Sequence, residues 1–175
     1  MHSIPLIGTV PVNLRTKNDA DGGNAVSAVL CNLGTHLDDP AERLGAIHTS
    51  MRASKDVLSQ LPRAQAMALA AMLVLGLAAA GGLPGPLGSA PPPFNICVSN
   101  VPGMREPLYL NGARLDGNYP MSIALDGQAL NITLATSADG LDFGLVGCRR
   151  ALPHLQLRLG QLESALKELE CAVGI

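Results

Sequence analysis

The sequence predicts an α+β fold with a mixed, largely antiparallel sheet that is covered by helices. Residues 40–80 show the helical spacing of apolar side chains, and residues 94–136 alternate apolar with polar side chains between tight-turn pairs. A leucine-rich helical pattern follows at the C-terminus. Helices therefore precede and follow a run of strands, and elements in this order favour an α+β domain.

The composition indicates one folded domain, which we expect to span residues 1–175. Hydrophobic residues make up 47% of the chain and charged residues 15%, a balance that argues against disorder. A chain of this length can bury a substantial core. The net charge is -2 and no basic run carries interleaved aromatic residues, so we expect no nucleic-acid partner.

The cysteines indicate a reducing compartment rather than a metal site. They are far apart and form no Cys-x-x-Cys pair: Cys31, Cys97, Cys148 and Cys171. The N-terminus shows no basic segment followed by a long apolar one, so no secretory signal is indicated. We expect a cytoplasmic protein that binds no metal and whose thiols are reduced and mostly buried.

The N-terminal segment predicts two strands, at residues 4–15 and 24–33, separated by a polar loop at 16–23. Pro5 and Pro11 indicate that the first strand is an edge strand or carries a bulge, because proline lacks the N–H that a sheet ladder needs. The second strand places three apolar side chains on one face: Val26, Ala28 and Leu30.

A helix is predicted to begin after Asp39. An aspartate cap followed by proline at the first helical position is a favourable order, and Pro40 completes it. Apolar residues then recur at helical spacing: Leu44, Ile47, Met51 and Leu58. Pro62 separates this helix from the next segment.

Residues 64–80 are almost wholly apolar, and no charged residue occurs between Arg63 and Arg105. At about 1.5 Å rise per residue, a helix over this stretch spans roughly 25 Å, short of the ~30 Å hydrocarbon core of a bilayer. We therefore favour a helix that is buried or faces a partner, with a membrane-surface helix and a membrane span as alternatives. A Gly/Pro-rich loop is predicted at 81–93.

The following segment predicts strands that are joined by tight turns. The strands are expected at residues 94–101, 108–115, 119–125 and 128–136. Turns are indicated by Asn111-Gly112, Asp126-Gly127 and Asp139-Gly140. Because such pairs tolerate the left-handed backbone of short hairpin turns, we expect hairpins here.

A C-terminal helix is predicted from leucines that repeat at helical spacing, with Pro153 near its start. These leucines form one apolar face: Leu155, Leu159, Leu162, Leu166 and Leu169. We interpret this face as part of the core.

Short motifs occur in a fixed order along most of the chain. The β-rich half contains Ser99-Asn100-Val101-Pro102-Gly103, Pro107-Leu108-Tyr109-Leu110-Asn111-Gly112-Ala113, Tyr119-Pro120, Ala129-Leu130-Asn131-Ile132 and Gly140-Leu141-Asp142-Phe143-Gly144. They are preceded by Val10-Pro11-Val12-Asn13-Leu14-Arg15, Gly23-Asn24 and Asp39-Pro40-Ala41-Glu42-Arg43-Leu44. This ordered set resembles the C-terminal domain of the bacterial wax ester synthase/diacylglycerol acyltransferase family, over the span from Val10 to Leu169.

The resemblance implies a fold and an activity. Members of that family are two-lobed proteins related to chloramphenicol acetyltransferase and other CoA-dependent acyltransferases, so this chain would be one lobe. Acyl-CoA would be a co-substrate rather than a bound cofactor, and diacylglycerol or a fatty alcohol would accept the acyl group. A histidine of the family's HHxxxDG motif, in the N-terminal lobe, would act as general base in a tunnel between the lobes.

The HHxxxDG motif is absent from this sequence, in which no two histidines are adjacent. We therefore expect no catalytic residue in this chain and little activity from it alone, because a positioned base contributes about 10²–10⁴-fold. The implied partner is the missing N-terminal lobe or a second copy in a homodimer. His36 and His48 are the possible replacement bases, but neither has an orienting carboxylate in sequence, and we interpret both as surface histidines.

The candidate binding residues follow from the acyl-transfer chemistry. Ser99 or Asn100 would donate a hydrogen bond to the developing oxyanion, and Gly103 would let the backbone approach a ligand. The alternative is a strand end whose residues only shape a turn. Arg15 would bind the phosphates of CoA or pair with an acid at the lobe interface, and the residue type alone favours the ion pair.

Two other functions are compatible with the sequence. A non-catalytic module that binds lipid or a membrane surface is the main alternative, and the apolar stretch 64–80 motivates it. A gene remnant without activity is another. For a membrane-associated chain we expect a peripheral position at the inner membrane or at lipid droplets.

Overall fold

The computed structural model describes residues 4–15, 25–82, 92–104, 106–138 and 140–174, with the backbone alone for 77–82. The strands in these residues are β1 (Ile7–Asn13), β2 (Val26–Asn32), β3 (Ile96–Val101), β4 (Tyr109–Leu110), β5 (Ala113–Arg114), β6 (Leu130–Thr136) and β7 (Leu141–Gly147). The helices are α1 (Pro40–Gln60), α2 (Arg63–Gly82) and α3 (Leu157–Val173). The predicted polar loop at 16–23 lies outside the described residues.

Five strands form one sheet in the order β2-β1-β3-β6-β7, and β4 pairs with β5 in a separate hairpin. The two edge strands pair antiparallel with their neighbours, whereas β1, β3 and β6 run parallel. The predicted mixed, largely antiparallel sheet is thus confirmed. The ladders are uneven, because β1 and β3 share only the residue pairs Gly8↔Ile96 and Thr9↔Cys97.

β1 lies inside the sheet, although its prolines had indicated an edge strand or a bulge. The N–H of Leu14 donates to the carbonyl of Ala25 at 2.8 Å, so even-numbered residues of β1 direct their backbone groups toward β2. The nitrogen of Pro11 therefore faces the β3 side, where pairing has already ended at Thr9. The missing N–H costs no ladder bond, and β1 behaves locally as an edge at this residue.

α1 begins as the sequence predicts. Asp39 is the N-cap, and its Oδ1 accepts a hydrogen bond from the N–H of Glu42 at 2.8 Å. The helix ends at Gln60, before Pro62. Along it, Leu58 is buried but Leu44 is 44% exposed, so only part of the predicted apolar stripe faces the core.

α1 also covers the free edge of β2. The N–H of Asn32 donates to Oγ of Ser50 at 2.9 Å, and Oγ of Ser54 donates to the carbonyl of Leu30 at 2.7 Å. These backbone groups point away from β1. Two serine hydroxyls one helical turn apart therefore make hydrogen bonds that a neighbouring strand would otherwise make.

The core lies between one face of the sheet and the helices α1 and α2. The buried residues Val29, Leu58 and Ala66 form its centre, and half-buried Val10 and Val12 pack against them. The opposite face of β2 carries the three residues that the sequence places together, and it is the more exposed face: Val26, Ala28 and Leu30.

α2 extends through Gly82, two residues into the loop predicted at 81–93, and residues 83–91 lie outside the described part of the chain. It packs on β2, to which Ser27 ties it by a 2.7 Å hydrogen bond from Oγ to the carbonyl of Ala66. Its other side exposes large apolar side chains: Met67, Met72, Val74 and Leu75. Among the described residues, no helix combines the length and the hydropathy that a membrane crossing needs.

The predicted turns form where expected. Asn111 and Gly112 take φ angles of 50° and 82° and close the β4–β5 hairpin. Gly127 has a φ of 86° in the turn that precedes β6. The N–H of Ser137 donates to the carbonyl of Gly140 at 2.9 Å and closes the β6–β7 hairpin, in which Asp139 lies outside the described residues.

Residues 119–125 form no strand, which corrects the hairpin predicted around Asp126-Gly127. The side chain of Asn131 holds this segment, because its Nδ2 donates to the carbonyl of Ile123 at 3.1 Å. Pro120 lies so close to Gly144 that a Cβ there would overlap the proline carbonyl. The segment therefore crosses a face of the sheet over β6 and β7 instead of joining a ladder.

α3 corrects the interpretation of its leucines as core. No described residue of this helix is buried, and Leu159 and Leu166 are 54% and 57% exposed. Leu162 and Leu169 are half-buried, and the helix packs against α1. Of the five leucines of this face, Leu159 and Leu166 are exposed, Leu155 is half-buried like Leu162 and Leu169, and none is buried.

Candidate functional site

The candidate residues lie at the carboxyl ends of parallel strands. β1, β3 and β6 run in the same direction, so their carboxyl ends lie at the same end of the sheet. The residues there are Asn13–Arg15, Ser99–Gly103 and Thr136. The sequence had placed candidate residues on the first two of these strand ends. The topology brings both strand ends to the same end of the sheet, although β1 and β3 are far apart in the chain.

Ser99 and Asn100 point to opposite faces of the sheet, because successive residues of a strand alternate. Ser99 is half-buried and pairs with Thr133 of β6, whereas Asn100 is exposed and pairs with Leu134. Asn100 lies on the face that β1 and β2 present to the helices. A single ligand on one face can therefore meet only one of the two side chains.

Ser99 shares its face with buried polar residues that the sequence reasoning did not single out. Thr9, Asn131 and Thr133 are 5%, 6% and 6% exposed. Oγ1 of Thr133 donates to Oδ1 of Asn131 at 3.0 Å, and the Nδ2 of Asn131 is used by Ile123. The signal was available, since polar residues recur at every second position of an otherwise apolar strand.

Gly103 packs tightly against the end of β6. A Cβ on this residue would overlap the carbonyl oxygen of Thr136, so no larger residue fits without a shift of the backbone. The close approach found in this structure is thus to the neighbouring strand. Contact of Gly103 with a ligand stays a prediction.

Arg15 lies at the exposed end of β1. Its backbone N–H donates to Oδ1 of Asn13 at 2.9 Å, and this bond turns the chain after the strand. The side chain is exposed. Its proposed role toward CoA stays a prediction.

The described histidines are exposed, whereas the cysteines range from buried to exposed. His36 and His48 are exposed, as the surface interpretation expects, and His154 is exposed as well. Burial raises the pKa of the Cys97 thiol and of the Cys31 thiol, and the hydrogen bond with Ser50 opposes this for Cys31. Within the described residues, no three His, Cys, Asp or Glu side chains cluster as metal ligands would.

Two open apolar grooves flank the sheet. The first, which we call the β2 groove, has a volume of about 330 Å³ and is lined mainly by Ala28, Leu30, Val57, Leu69 and Leu73. The second, which we call the β7 groove, has a volume of about 400 Å³ and is lined mainly by Tyr119, Met121, Phe143, Leu145, Leu155 and Leu159. Both suit apolar ligands or apolar polypeptide.

Sequence comparison gives a consistent result. Residues 22–170 match the protein family described as WS/DGAT C-terminal domain. A Mycobacterium tuberculosis (strain H37Rv) protein, whose name assigns it provisionally as a diacylglycerol O-acyltransferase, is 67% identical over 98% of this chain and 38% of its own length. An O-acyltransferase of Acinetobacter baylyi is 44% identical over 98% of this chain and 37% of its length. The chain thus spans little more than a third of these relatives.

Solved structures agree on the fold. The wax ester synthase/diacylglycerol acyltransferase of Marinobacter aquaeolei VT8 superposes with a TM-score of 0.79 at 36% identity, covering 98% of this chain and 38% of that one. The first condensation domain of the CDA synthetase superposes with a TM-score of 0.50 at 16% identity, and that likeness concerns the fold alone.

Proposed function

Because the chain belongs to the wax ester synthase/diacylglycerol acyltransferase family, we propose that it is the C-terminal lobe of an acyl-CoA-dependent O-acyltransferase. The acceptor is diacylglycerol or a long-chain alcohol, and the product is triacylglycerol or a wax ester. The observation that carries this proposal is the 67% identity to a relative over 98% of the chain. Acyl-CoA is the co-substrate.

The general base comes from outside this chain in our proposal. An alcohol hydroxyl is a weak nucleophile at neutral pH, and a positioned base contributes about 10²–10⁴-fold. This sequence carries no HHxxxDG motif, and its described histidines are exposed. The remaining part of a full-length acyltransferase supplies the base, and the chain alone is inactive.

Ser99 is the side chain that we assign to the reacting acyl group. It shares a face with a row of buried polar residues, two of which, Thr133 and Asn131, are joined by a hydrogen bond. Its hydroxyl donates to the oxyanion, and removal of one such donor commonly costs about 10²–10³-fold in kcat. Asn100, on the opposite face, and Gly103 shape the entry, and Arg15 contacts the phosphates of CoA.

A test measures transfer of palmitate from palmitoyl-CoA to hexadecanol. The chain is assayed alone and after co-expression with the part of the Mycobacterium tuberculosis relative that this chain does not match. We expect activity only in the pair, a loss of about 10²-fold in kcat for Ser99→Ala, and no loss for Ser59→Ala on the exposed side of α1. Ordinary activity of the chain alone would refute the division of labour.

Binding to a lipid surface is the second candidate function. The exposed side of α2 carries Met72, Val74 and Leu75, which are 69%, 53% and 67% exposed, in a segment without charge. Apolar side chains on one side of a helix insert into the headgroup boundary of a bilayer. This function places the chain at the inner membrane or at lipid droplets.

Flotation with phosphatidylcholine vesicles tests this second function. We expect the chain to float with the vesicles and Met72→Glu/Leu75→Glu to stay at the bottom of the gradient. Leu157→Glu, at an exposed position on α3, is the matched control and retains binding. If the wild-type chain does not float, the second function is excluded.

A further inference from the structure

β7 is the second edge strand of the sheet, and no other strand of the described residues pairs with its outward backbone groups. The N–H of Cys148 donates to the carbonyl of Ala129, and the N–H of Ser137 donates to the carbonyl of Gly140. These two bonds show which residues of β7 bond to β6, because residues that bond to the partner strand alternate with residues that point outward. Even-numbered residues of β7 bond to β6, so Phe143 and Leu145 direct their N–H and C=O groups outward.

The outward backbone groups of the two edge strands differ in their hydrogen-bond partners. At β2 the outward groups are met by Ser50 and Ser54 of α1, so that edge is covered. At β7, among the described residues, the ladder to β6 is the only strand pairing. β7 has seven residues, contains neither lysine nor proline, and carries the apolar side chains that favour strand addition.

The β7 groove follows this open edge and has walls on both faces of the sheet. The close approach of Gly144 to Pro120 places the segment with Tyr119 and Met121 on one face. A Cβ on Gly147 would lie 3.4 Å from Leu155, which places the segment just before α3 on the other face. The edge thus lies at the bottom of a slot between two apolar walls.

We propose that this slot receives an extended segment from the part of the acyltransferase relatives that lies outside their match to this chain. This inference rests on the proposed function. The segment pairs with β7 as a sixth strand, and its side chains contact Tyr119 and Met121 on one face and Leu155 and Leu159 on the other. Because both faces are apolar, the segment is apolar at successive positions.

Two observations favour this occupant over a second copy of the chain. Matched relatives are longer, and this chain covers only 38% of them, so most of the polypeptide that surrounds this lobe lies outside it. The walls on both faces admit one extended strand. A second copy would place its own wall residues beside these, so we expect a single extended strand to fit the slot better.

The wall residues support the same assignment. Met121 is 84% exposed, Tyr119 is 72% exposed and Leu159 is 54% exposed. Apolar side chains grouped in this way around a strand edge mark a binding surface. A strand that pairs with β7 covers all three at once.

Hydrogen exchange of individual amides tests the proposal. The isolated chain is compared with the complex formed on co-expression with the unmatched part of the Mycobacterium tuberculosis relative. We expect the amides of Phe143 and Leu145 to exchange rapidly in the isolated chain and at least about tenfold more slowly in the complex. The amide of Val146, which faces β6, is protected in both and serves as the internal control.

Substitutions separate backbone pairing from side-chain packing. Leu145→Pro removes an outward N–H and no bond to β6, so the isolated variant folds and its affinity for the partner falls at least about tenfold. Leu145→Ala keeps the N–H, so its affinity for the partner falls less than that of Leu145→Pro. Phe143→Pro is the second variant, for the case that Leu145→Pro fails to fold.

Several outcomes overturn the proposal. These are a complex in which Phe143 and Leu145 still exchange rapidly, no association on co-expression, or protection that appears with concentration in the isolated chain. The last outcome identifies a second copy as the occupant. A complex with protected amides but no acyl transfer refutes the proposed function and leaves the strand pairing intact.

Discussion

The hydroxyl of Ser54 donates a hydrogen bond of 2.7 Å to the carbonyl oxygen of Leu30, so a helix side chain occupies the position of a neighbouring strand. The contact joins α1 to β2 across more than twenty residues of chain. It satisfies an edge carbonyl that would otherwise face the apolar β2 groove. The stability of the N-terminal half of the sheet therefore depends on a polar contact at its edge.

Replacement of this serine tests that dependence. We expect Ser54→Ala to lower the free energy of unfolding by about 1 kcal/mol, because the Leu30 carbonyl loses its partner. Ser59→Ala is the control, since Ser59 is exposed and bonds within α1 to the carbonyl of Asp56. Urea denaturation of the two variants gives the comparison. Equal effects would show that the edge contact contributes nothing.

Gly103 and Gly45 form a matched pair of glycine substitutions. Gly103→Ala is expected to destabilise the fold by about 1–3 kcal/mol, because the new Cβ overlaps the Thr136 carbonyl. Gly45 lies in α1 with nothing within 4 Å of a built Cβ, so Gly45→Ala is expected to stabilise it by roughly 0.5–1 kcal/mol. Thermal unfolding distinguishes the two signs. A neutral Gly103→Ala would mean that the two strand ends separate readily in solution.

Asn131 is expected to hold the segment 119–125 on the sheet. Asn131→Ala leaves the Ile123 carbonyl and Thr133 without their shared partner, at a cost of about 1–3 kcal/mol. The exposed Asn100 is the control, and Asn100→Ala is expected to stay within about 0.5 kcal/mol of the wild-type stability. Limited proteolysis is the second measurement, because the variant should be cut sooner within the released segment. Unchanged cleavage there would contradict the assigned role.

The cysteines are expected to differ in their reaction with iodoacetamide. Hydrogen bonds from the backbone N–H groups of Ala151 and Arg150 lower the pKa of the Cys148 thiol; burial opposes them, and the charge of Arg150 adds a smaller lowering. Burial raises the pKa of the Cys97 thiol. Since the thiolate is the reactive form, Cys148 should be alkylated faster at neutral pH.

The pH dependence of the alkylation rate tests the direction of the pKa shift of the Cys148 thiol. As the pH falls from about 8 to about 6.5, a thiol of lowered pKa keeps more of its thiolate than one of ordinary pKa, so the Cys148 rate falls less steeply. Mass spectrometry of timed digests measures each site, and Cys148→Ser removes the fast signal. Equal rates at Cys148 and Cys97 would refute the expected difference.

Features governed by local chemistry were predictable from the sequence. The cap at Asp39, the turn at Asn111-Gly112 and the end of α1 before Pro62 depend on residues close in the chain. Each is set by hydrogen bonds or φ angles within about four residues. Their positions agree with the prediction for that reason.

Features that depend on distant neighbours were not predictable. The role of Ser50 and Ser54 requires knowledge that β2 lies at an edge, and the exposure of Leu159 requires knowledge that no described element covers this part of α3. A helical stripe shows which face of a helix is apolar but not what packs on it. The stretch 119–125 likewise alternates as a strand does, yet a buried asparagine in a distant strand bonds its backbone.

The candidate site was predicted in part. Ser99 and Asn100 were correctly assigned to a strand end, but a period of two places them on opposite faces, and only a known register pairs Ser99 with Thr133. The polar row with Thr9 arises from strands that are nearly ninety positions apart in sequence, as the pair Thr9↔Cys97 shows. No local pattern contains that information.

Because the ladder between β1 and β3 is short, we expect the sheet to open as two cooperative halves. On one side stand β1 and β2 with their helices, and on the other β3, β6 and β7, with only two residue pairs across the junction. Native-state exchange should then report separate opening free energies for the halves. α3 follows the second half in sequence but packs on α1 of the first, so its docking sets how strongly the two openings are coupled.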